Sequence, residues 1–434
     1  MKCGFYQKEI TPPLGCYIPG YGDDRRGTGV KDPLYVRAVV LEDDAGNKSA
    51  IAVLDSLMVD MEHTEAILAR VKAYTDLTDE NTVVTCTHSH TGTPFWRYNE
   101  QDLAYMEQLF RMAADCIILA WQRLRPCSVT YGKRNVEGFS FTRDFVMKNG
   151  TIRSNPGGKH RLDILRETSP ADTEFAVLFF RDSDGNPIGS VSNFACHCDC
   201  VGGTEYSADF PGVLSRLLKE EYGADFVSVF LQGCSGDINH LDQINGTRSD
   251  YREMGHVLAE TVKKLALSGQ PLAGNAVRAA RKELYIRRRL LSPELLARAK
   301  EVVAAPELRK EGEAGAPAYK GMLKYVADYE GKPLEIRCPV QTILLGDIWI
   351  FCLPGELYHY YGEELKKRCH GGKALIAELC NTRAGYCGKP ELLENGPIPN
   401  VFGSWPNLAS FLEKDAGERL MQAALELSDT LLSC

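Results

Sequence analysis

A chain of 434 residues, 44% hydrophobic and 25% charged, can bury a large core and has the composition of an ordinary globular protein. Its net charge of −8 argues against a nucleic-acid backbone as partner, and no segment approaches the ~20 apolar residues of a transmembrane helix. The first residues, MKCGFYQKEITPPLG, lack the apolar run of a secretory leader, and the 15 cysteines are scattered and odd in number. Both features lead us to expect a reducing cytoplasm, with most cysteines acting as small buried hydrophobes.

In chain order, residues 34–56 read as two strands around a turn at 44–47, and residues 63–75 and 100–125 have helical periodicity. Between those helices the β-branched run Val83 to Thr87 reads as a strand. Residues 134–173 are long and irregular, with turn signals at Asn149-Gly150 and Pro156-Gly157-Gly158; loops of this length are uncommon and often functional. A hairpin follows, EFAVLFFRD and PIGSVSNFAC around Asp184-Gly185, then a helix at about 211–222, the strand DFVSVFLQ, and a helix at about 248–267. Residues 286–330 are charged and helical, suiting a solvated helix pair or an oligomer contact, with a lid as the alternative. Strand and helix resume at QTILLGDIWIFCLP and ELYHYYGEELKKR, KALIAELCN is the last strand, and a closing helix runs from about 408 to 431. There is no internal repeat, low-complexity tract or linker. The pattern predicts one continuous α/β domain over 1–434, with mixed β-sheets flanked by helices and a helical excursion at about 286–335. Its chemistry is expected at the C-terminal ends of strands.

Several strands end in polar or glycine-rich junctions. In NTVVTCTHSHTG, alternation places His88 and His90 on one strand face with Val84 and Cys86. Paired imidazoles suit a transition metal, or a metal ligand beside a proton-transfer group; two half-buried, hydrogen-bonded histidines are the alternative. In SVSNFACHCDC, alternation turns Ala195, His197 and Asp199 one way and Cys196, Cys198 and Cys200 the other. His197 is the candidate ligand and the cysteines are packing, since a structural zinc site needs a second cysteine pair. In VSVFLQGCSGDINH, Gly233 and Gly236 flank Cys234 and Ser235, followed by Asp237, Asn239 and His240. Such a loop can aim backbone N–H groups at an anion, or be a simple glycine turn. Glu356 follows a Pro-Gly break, in the expected first turn of the next helix, where either the helix dipole or a metal favours a carboxylate. In AELCNTRAGYCGKP, Arg383 and Tyr386 occupy a glycine-containing loop after a strand. His, His, Glu and an oxygen donor together suit Zn²⁺.

The ordered motifs THSHTG, NFACH followed by SADFPG, GDIN, LPGE and AGY, supported by ITPP, DPLYVRAVVL and KNGTIRSNPG, resemble the catalytic domain of the neutral/alkaline non-lysosomal ceramidase family, from about residue 8 to 425. The resemblance implies a zinc amidase built on mixed sheets, with His88, His197, Glu356 and Tyr386 as metal ligands. It implies that His90 lies beside the metal as an acid–base or substrate group. The family carries a serine with an assigned catalytic role after Gly-Asp-Val; here Asn239 takes that position, after Gly-Asp-Ile. The expected substrate is a small-molecule or lipid-like N-acyl compound. In the expected scheme, zinc activates water, His90 moves the proton to the leaving amine, and Arg143, Arg383 or the 233–237 loop with Asp237 stabilises the oxyanion. Asn239 supplies an N–H donor in place of the serine. The alternatives are a metal-binding pseudoenzyme or receptor that lost catalysis through Asn239, and a thiol hydrolase using Cys196 or Cys234.

Overall fold

The computed structural model describes the chain except residues 22–23, 96–98, 311–312, 314, 391, 393–409 and 434. Its strands follow one succession three times. Lys2–Glu9 pairs antiparallel with Tyr35–Glu42, which pairs antiparallel with Lys48–Leu54. Helix α1 (Met61–Tyr74) then crosses over to Thr82–Cys86, which is parallel to Lys48–Leu54, and helix α2 (Glu100–Gln122) closes the unit. The second unit runs Ser128–Asn135, Glu174–Arg181, Pro187–Phe194, α3 (Asp209–Tyr222), the parallel strand Val227–Gln232 and α4 (Tyr251–Ser268). The third begins with Val277–Arg287, whose link to Glu335–Leu345 carries α5 (Pro293–Ala304) and α6 (Ala316–Asp328). It continues through Ile348–Cys352, α7 (His359–Arg368), the parallel strand Ala374–Ala377 and α8 (Ala416–Ser433). The sequence expectation of no internal repeat holds for residue identities and fails for topology. Each unit needs only apolar strands and one crossover, which unrelated side chains supply equally well.

Alternation along the strands sorts the core into layers. Val39, Val53 and Val83 of the first sheet, Leu178, Val191 and Val229 of the second, and Ile343, Ile350 and Leu375 of the third belong to one shared cluster. The opposite faces lie under helices: Val36, Val40 and Val84 with Ile67 and Ile117; Val177 and Phe179 with Phe210 and Leu258; Trp349 and Phe351 with Tyr361 and Leu420. Strands covered on both faces read as continuous apolar runs, as Thr82–Cys86 and Val227–Gln232 do.

Polar side chains stitch the sheets together where parallel strands end. Asn193 Nδ2 donates to the carbonyls of Leu231 (3.0 Å) and Ile376 (2.7 Å), while its Oδ1 accepts from Ile376 N–H (2.9 Å). Asn381 accepts from Val84 N–H at Oδ1 (3.1 Å) and donates its own N–H to Val84 O (2.8 Å).

Three sequence expectations need correction. Residues 134–173 are not structureless: Asp144–Met147, Ile152–Ser154 and Ile164–Glu167 form a small antiparallel sheet, with strands too short to show alternation. The helical excursion starts later than 286, because Val277–Arg287 is still strand; its two helices share a core of Leu295, Ala299, Val302, Tyr319 and Met322. The closing helix begins at Ala416, and residues 408–409 of the expected span lie outside the described residues. Among the described residues no helix is long and apolar enough to cross a membrane.

The Asn193 bridge is open to test. Asn193→Ala strands buried backbone groups that each cost about 1–3 kcal/mol, so chemical denaturation should show a loss of at least about 2 kcal/mol. A loss below about 1 kcal/mol would mean the second and third sheets do not depend on this amide.

Candidate metal centre

The parallel strands of all three units end at one side of the shared core, and the loops beyond them carry the polar residues. The first ends at Cys86, and His88 then takes a left-handed φ of 69° in a tight turn. Strand alternation therefore does not place His88 and His90, as the sequence had suggested. The turn itself does, bringing their rings to 5.0 Å at 90°. His197 lies three residues beyond Pro187–Phe194, in a segment anchored by the His90 N–H donating to Cys198 O (3.0 Å). Glu356 is not in a helical first turn. Residues Glu356–Leu357 form a short parallel ladder with Tyr386–Cys387, pairing Glu356 directly with Tyr386, and α7 begins at His359. Gly355, at φ 89°, makes this possible: a Cβ there would meet Gly385 O at 2.7 Å.

The four expected ligands converge. His88 Nε2 lies 3.2 Å from His197 Nε2 and 3.2 Å from Glu356 Oε2; His197 Nε2 lies 3.6 Å from the same carboxylate oxygen and 3.2 Å from Tyr386 Oη. The second ring nitrogens fix the tautomers. His88 Nδ1 faces Leu57 O and His197 Nδ1 faces Ser235 O, each at 2.9 Å. A carbonyl only accepts, so both Nδ1 atoms carry protons and both Nε2 atoms of neutral rings present lone pairs to one another and to a carboxylate. Lone pairs gathered on one buried point suit a cation. Two ligands ~2.0–2.1 Å from a tetrahedral zinc lie ~3.3–3.4 Å apart, close to the separations seen here. The residues present therefore fit Zn²⁺.

The electrostatics agree. Burial works against charge on Glu356, yet His88 and His197 hold its carboxyl well below the usual range. Burial likewise opposes a charged His88, but Glu356 overrides it and raises the imidazole. His197 is lowered by burial and by the Arg143 guanidinium. His90 is pushed well below the ordinary histidine value, chiefly by burial, and neither of its ring nitrogens has a hydrogen-bond partner. At 8% exposure it is the most accessible of the three clustered histidines, whose ligating atoms lie within 4.8 Å of one another.

Around this centre the other expected residues divide. Arg143 is near it: its guanidinium donates to Gly236 O and sits 5.1 Å from the centre of the Tyr386 ring. Asp237 turns away to the buried His359, accepting from the imidazole Nδ1 (2.8 Å) and the backbone N–H (2.7 Å). Asn239 spends its amide locally, donating to Asn155 Oδ1 (2.9 Å) and accepting from Leu241 N–H (2.9 Å). Arg383 reaches Tyr329 Oη (2.7 Å), beyond the end of α6, and Asp60 (3.5 Å) before α1; it clamps the loop that carries Tyr386. Cys196 and Cys234 are buried, and burial holds both thiols well above their ordinary pKa, which removes the thiolate a thiol hydrolase needs. The described cysteines are free, and Cys196 and Cys198 pack against Phe194 and Phe210.

Sequence reasoning missed three contributors: the carbonyls of Leu57 and Ser235, and Glu378. Backbone acceptors carry no side-chain signal. Glu378 did carry one, a lone carboxylate ending the buried run ALIA.

Comparison with known proteins gives the family and the fold. A neutral ceramidase of Drosophila pseudoobscura pseudoobscura is 25% identical over 262 residues, 55% of this chain and 36% of the relative. That of Pseudomonas aeruginosa is 26% identical over 236 residues, 51% of this chain and 34% of the relative. The matched stretch is thus about a third of each curated relative. In fold, a crystal structure of neutral ceramidase from Pseudomonas aeruginosa superposes with a TM-score of 0.73 at 16% identity, covering 100% of this chain and 74% of that one. A second solved structure, described as ceramidase complexed with C2, gives 0.71 at 16% identity, covering 75% of that chain. The description "Neutral/alkaline non-lysosomal ceramidase, N-terminal" matches residues 2–252, more than half of the sequence. On that match, the chain belongs to the neutral/alkaline non-lysosomal ceramidase family.

Proposed function

We propose that this chain is a zinc-dependent hydrolase of a linear N-acyl amide. The observation that carries the reading is the convergence of two imidazole nitrogens, a buried carboxylate and a phenol oxygen on one point, an arrangement that suits a cation. His88, His197, Glu356 and Tyr386 would hold it. A bound Zn²⁺ supplies Lewis acidity and lowers the pKa of water towards ~7.

The chain's own residues do the rest. His90 is neutral near pH 7 because burial lowers its pKa, and its ring nitrogens are uncommitted. It can accept a proton from the attacking water and return it to the leaving amine. Arg143, fixed by Gly236 O beside Tyr386, supplies positive charge where a carbonyl oxygen becomes an oxyanion. Asn239 shapes the loop through Asn155 and Leu241 and takes no part in proton transfer. The substitution of asparagine for the family serine therefore leaves this route intact. Ceramide-like N-acyl lipids head the substrates to assay, because the curated relatives are named neutral ceramidases.

Chelation should abolish hydrolysis of N-acyl compounds and Zn²⁺ should restore it. His88→Ala and His197→Ala should each lose roughly 100-fold or more, since even outer partners of metal ligands are typically worth 10–100-fold. Activity that survives both chelation and His88→Ala would defeat the proposal. Tight zinc binding without turnover on a broad amide and ester panel would instead identify a pseudoenzyme.

The Asp237–His359 pair makes stability depend on pH. Burial opposes both charges, but each group's charge shifts the other, lowering Asp237 below 3.8 and raising His359 above 6.5. Asp237 contributes above 3.8 and loses its contribution as pH falls through its lower folded value. His359 contributes below 6.5 and loses it as pH rises through its higher folded value. The Tm difference between the wild type and Asp237→Asn should therefore be widest between these two values and narrow on either side. A difference constant from about pH 3 to 9 would contradict the pairing.

A further inference from the structure

We propose that Glu378 is the positioning residue of the metal centre, a buried brace that sets the aim of His197 and Glu356 together. This rests on the zinc reading above. One carboxylate oxygen of Glu378, Oε1, accepts from the N–H (3.1 Å) and the hydroxyl (2.6 Å) of Ser235. The Ser235 carbonyl in turn receives His197 Nδ1–H at 2.9 Å, which fixes that ring's tautomer and rotation. The other oxygen, Oε2, accepts from Leu357 N–H at 2.9 Å, the peptide that follows Glu356. One side chain therefore holds the segment that orients His197 and the segment that carries Glu356, which follow strands of different sheets.

The backbone of Glu378 extends the brace to the first sheet. Its N–H donates to Gln232 O (2.9 Å) and its carbonyl accepts from Thr85 Oγ1 (2.7 Å). Thr85, Gln232 and Glu378 lie at or next to the ends of the parallel strands of the three units. Burial pushes the Glu378 carboxyl well above its ordinary range, and a fully buried acid persists where its hydrogen bonds hold something in place. Three donors from two loops account for it here: two from Ser235, whose carbonyl holds His197, and one from Leu357, the neighbour of Glu356. Glu378 touches none of the four proposed ligand atoms, so its effect must pass through Ser235 and Leu357.

The test is Zn²⁺ titration of the full chain, with thermal unfolding of the same samples without metal. Glu378→Gln keeps the shape but places an amide N–H₂ against one of the donors, and should weaken zinc binding about 10–100-fold. Ser235→Ala removes only the hydroxyl donor and should weaken it less. In the double variant Ser235→Ala should add little, because both changes act on one linkage. A stability control is Thr342→Val, which removes a hydroxyl bond to Ala424 O under α8 and should leave zinc affinity unchanged. If Glu378→Gln fails to fold, the comparison of Ser235→Ala with Thr342→Val decides the matter. Zinc affinity within about twofold of wild type in folded Glu378→Gln, or in Ser235→Ala where Gln does not fold, overturns the brace and leaves the zinc reading standing. A wild-type chain that binds no zinc overturns both.

Discussion

Lone pairs that face one another in a buried site repel unless a positive charge stands among them. Here two ring tautomers are fixed by carbonyls behind them, so neither imidazole can turn an N–H towards the carboxylate to relieve the conflict. A proton on His88 relieves part of it, as the raised imidazole shows. A divalent ion relieves all of it, and affinity for the ion then depends on displacing that proton. The centre is thus preorganised by the fold, and the ordering of its ligands belongs to folding and not to binding.

The three-unit architecture explains how distant segments achieve this. In each unit two junctions reach the same end of the shared core: the one after the third strand and the one after the parallel fourth. The first unit supplies Leu57 O from the former, and His88 and His90 from the latter. The second supplies His197 and then Ser235 O. The third supplies Glu356, and then Glu378 and Tyr386. All six junctions contribute, some with atoms that face the centre and some with atoms that hold them.

Much of this was legible in the sequence because clusters of polar and glycine residues follow the apolar runs where strands stop. His88 and His197 stood out that way, whereas Glu356 had a helix-dipole alternative and Tyr386 entered as a ligand only through the family resemblance. What was hidden has identifiable causes. The left-handed φ at His88 breaks the alternation that seemed to place it, yet leaves the residue at the same strand end. The ladder pairing Glu356 with Tyr386 is two residues long, too short for any periodicity. Asn239 looked like a replacement for a catalytic serine, and only its bonds to Asn155 and Leu241 show where its amide is spent. The repeated topology left no trace because burial asks for apolar volume and not for particular residues.

The family match ends at residue 252, inside the second unit, so His88 and His197 lie within it while Glu356 and Tyr386 lie beyond. Two neutral imidazoles add no charge, and burial keeps the Tyr386 phenol protonated. The formal charge of the donor set is then the single negative charge of Glu356, and with a dication the whole site is monopositive. In the proposed centre, the negative charge that would offset the dication thus comes from a residue outside the matched stretch.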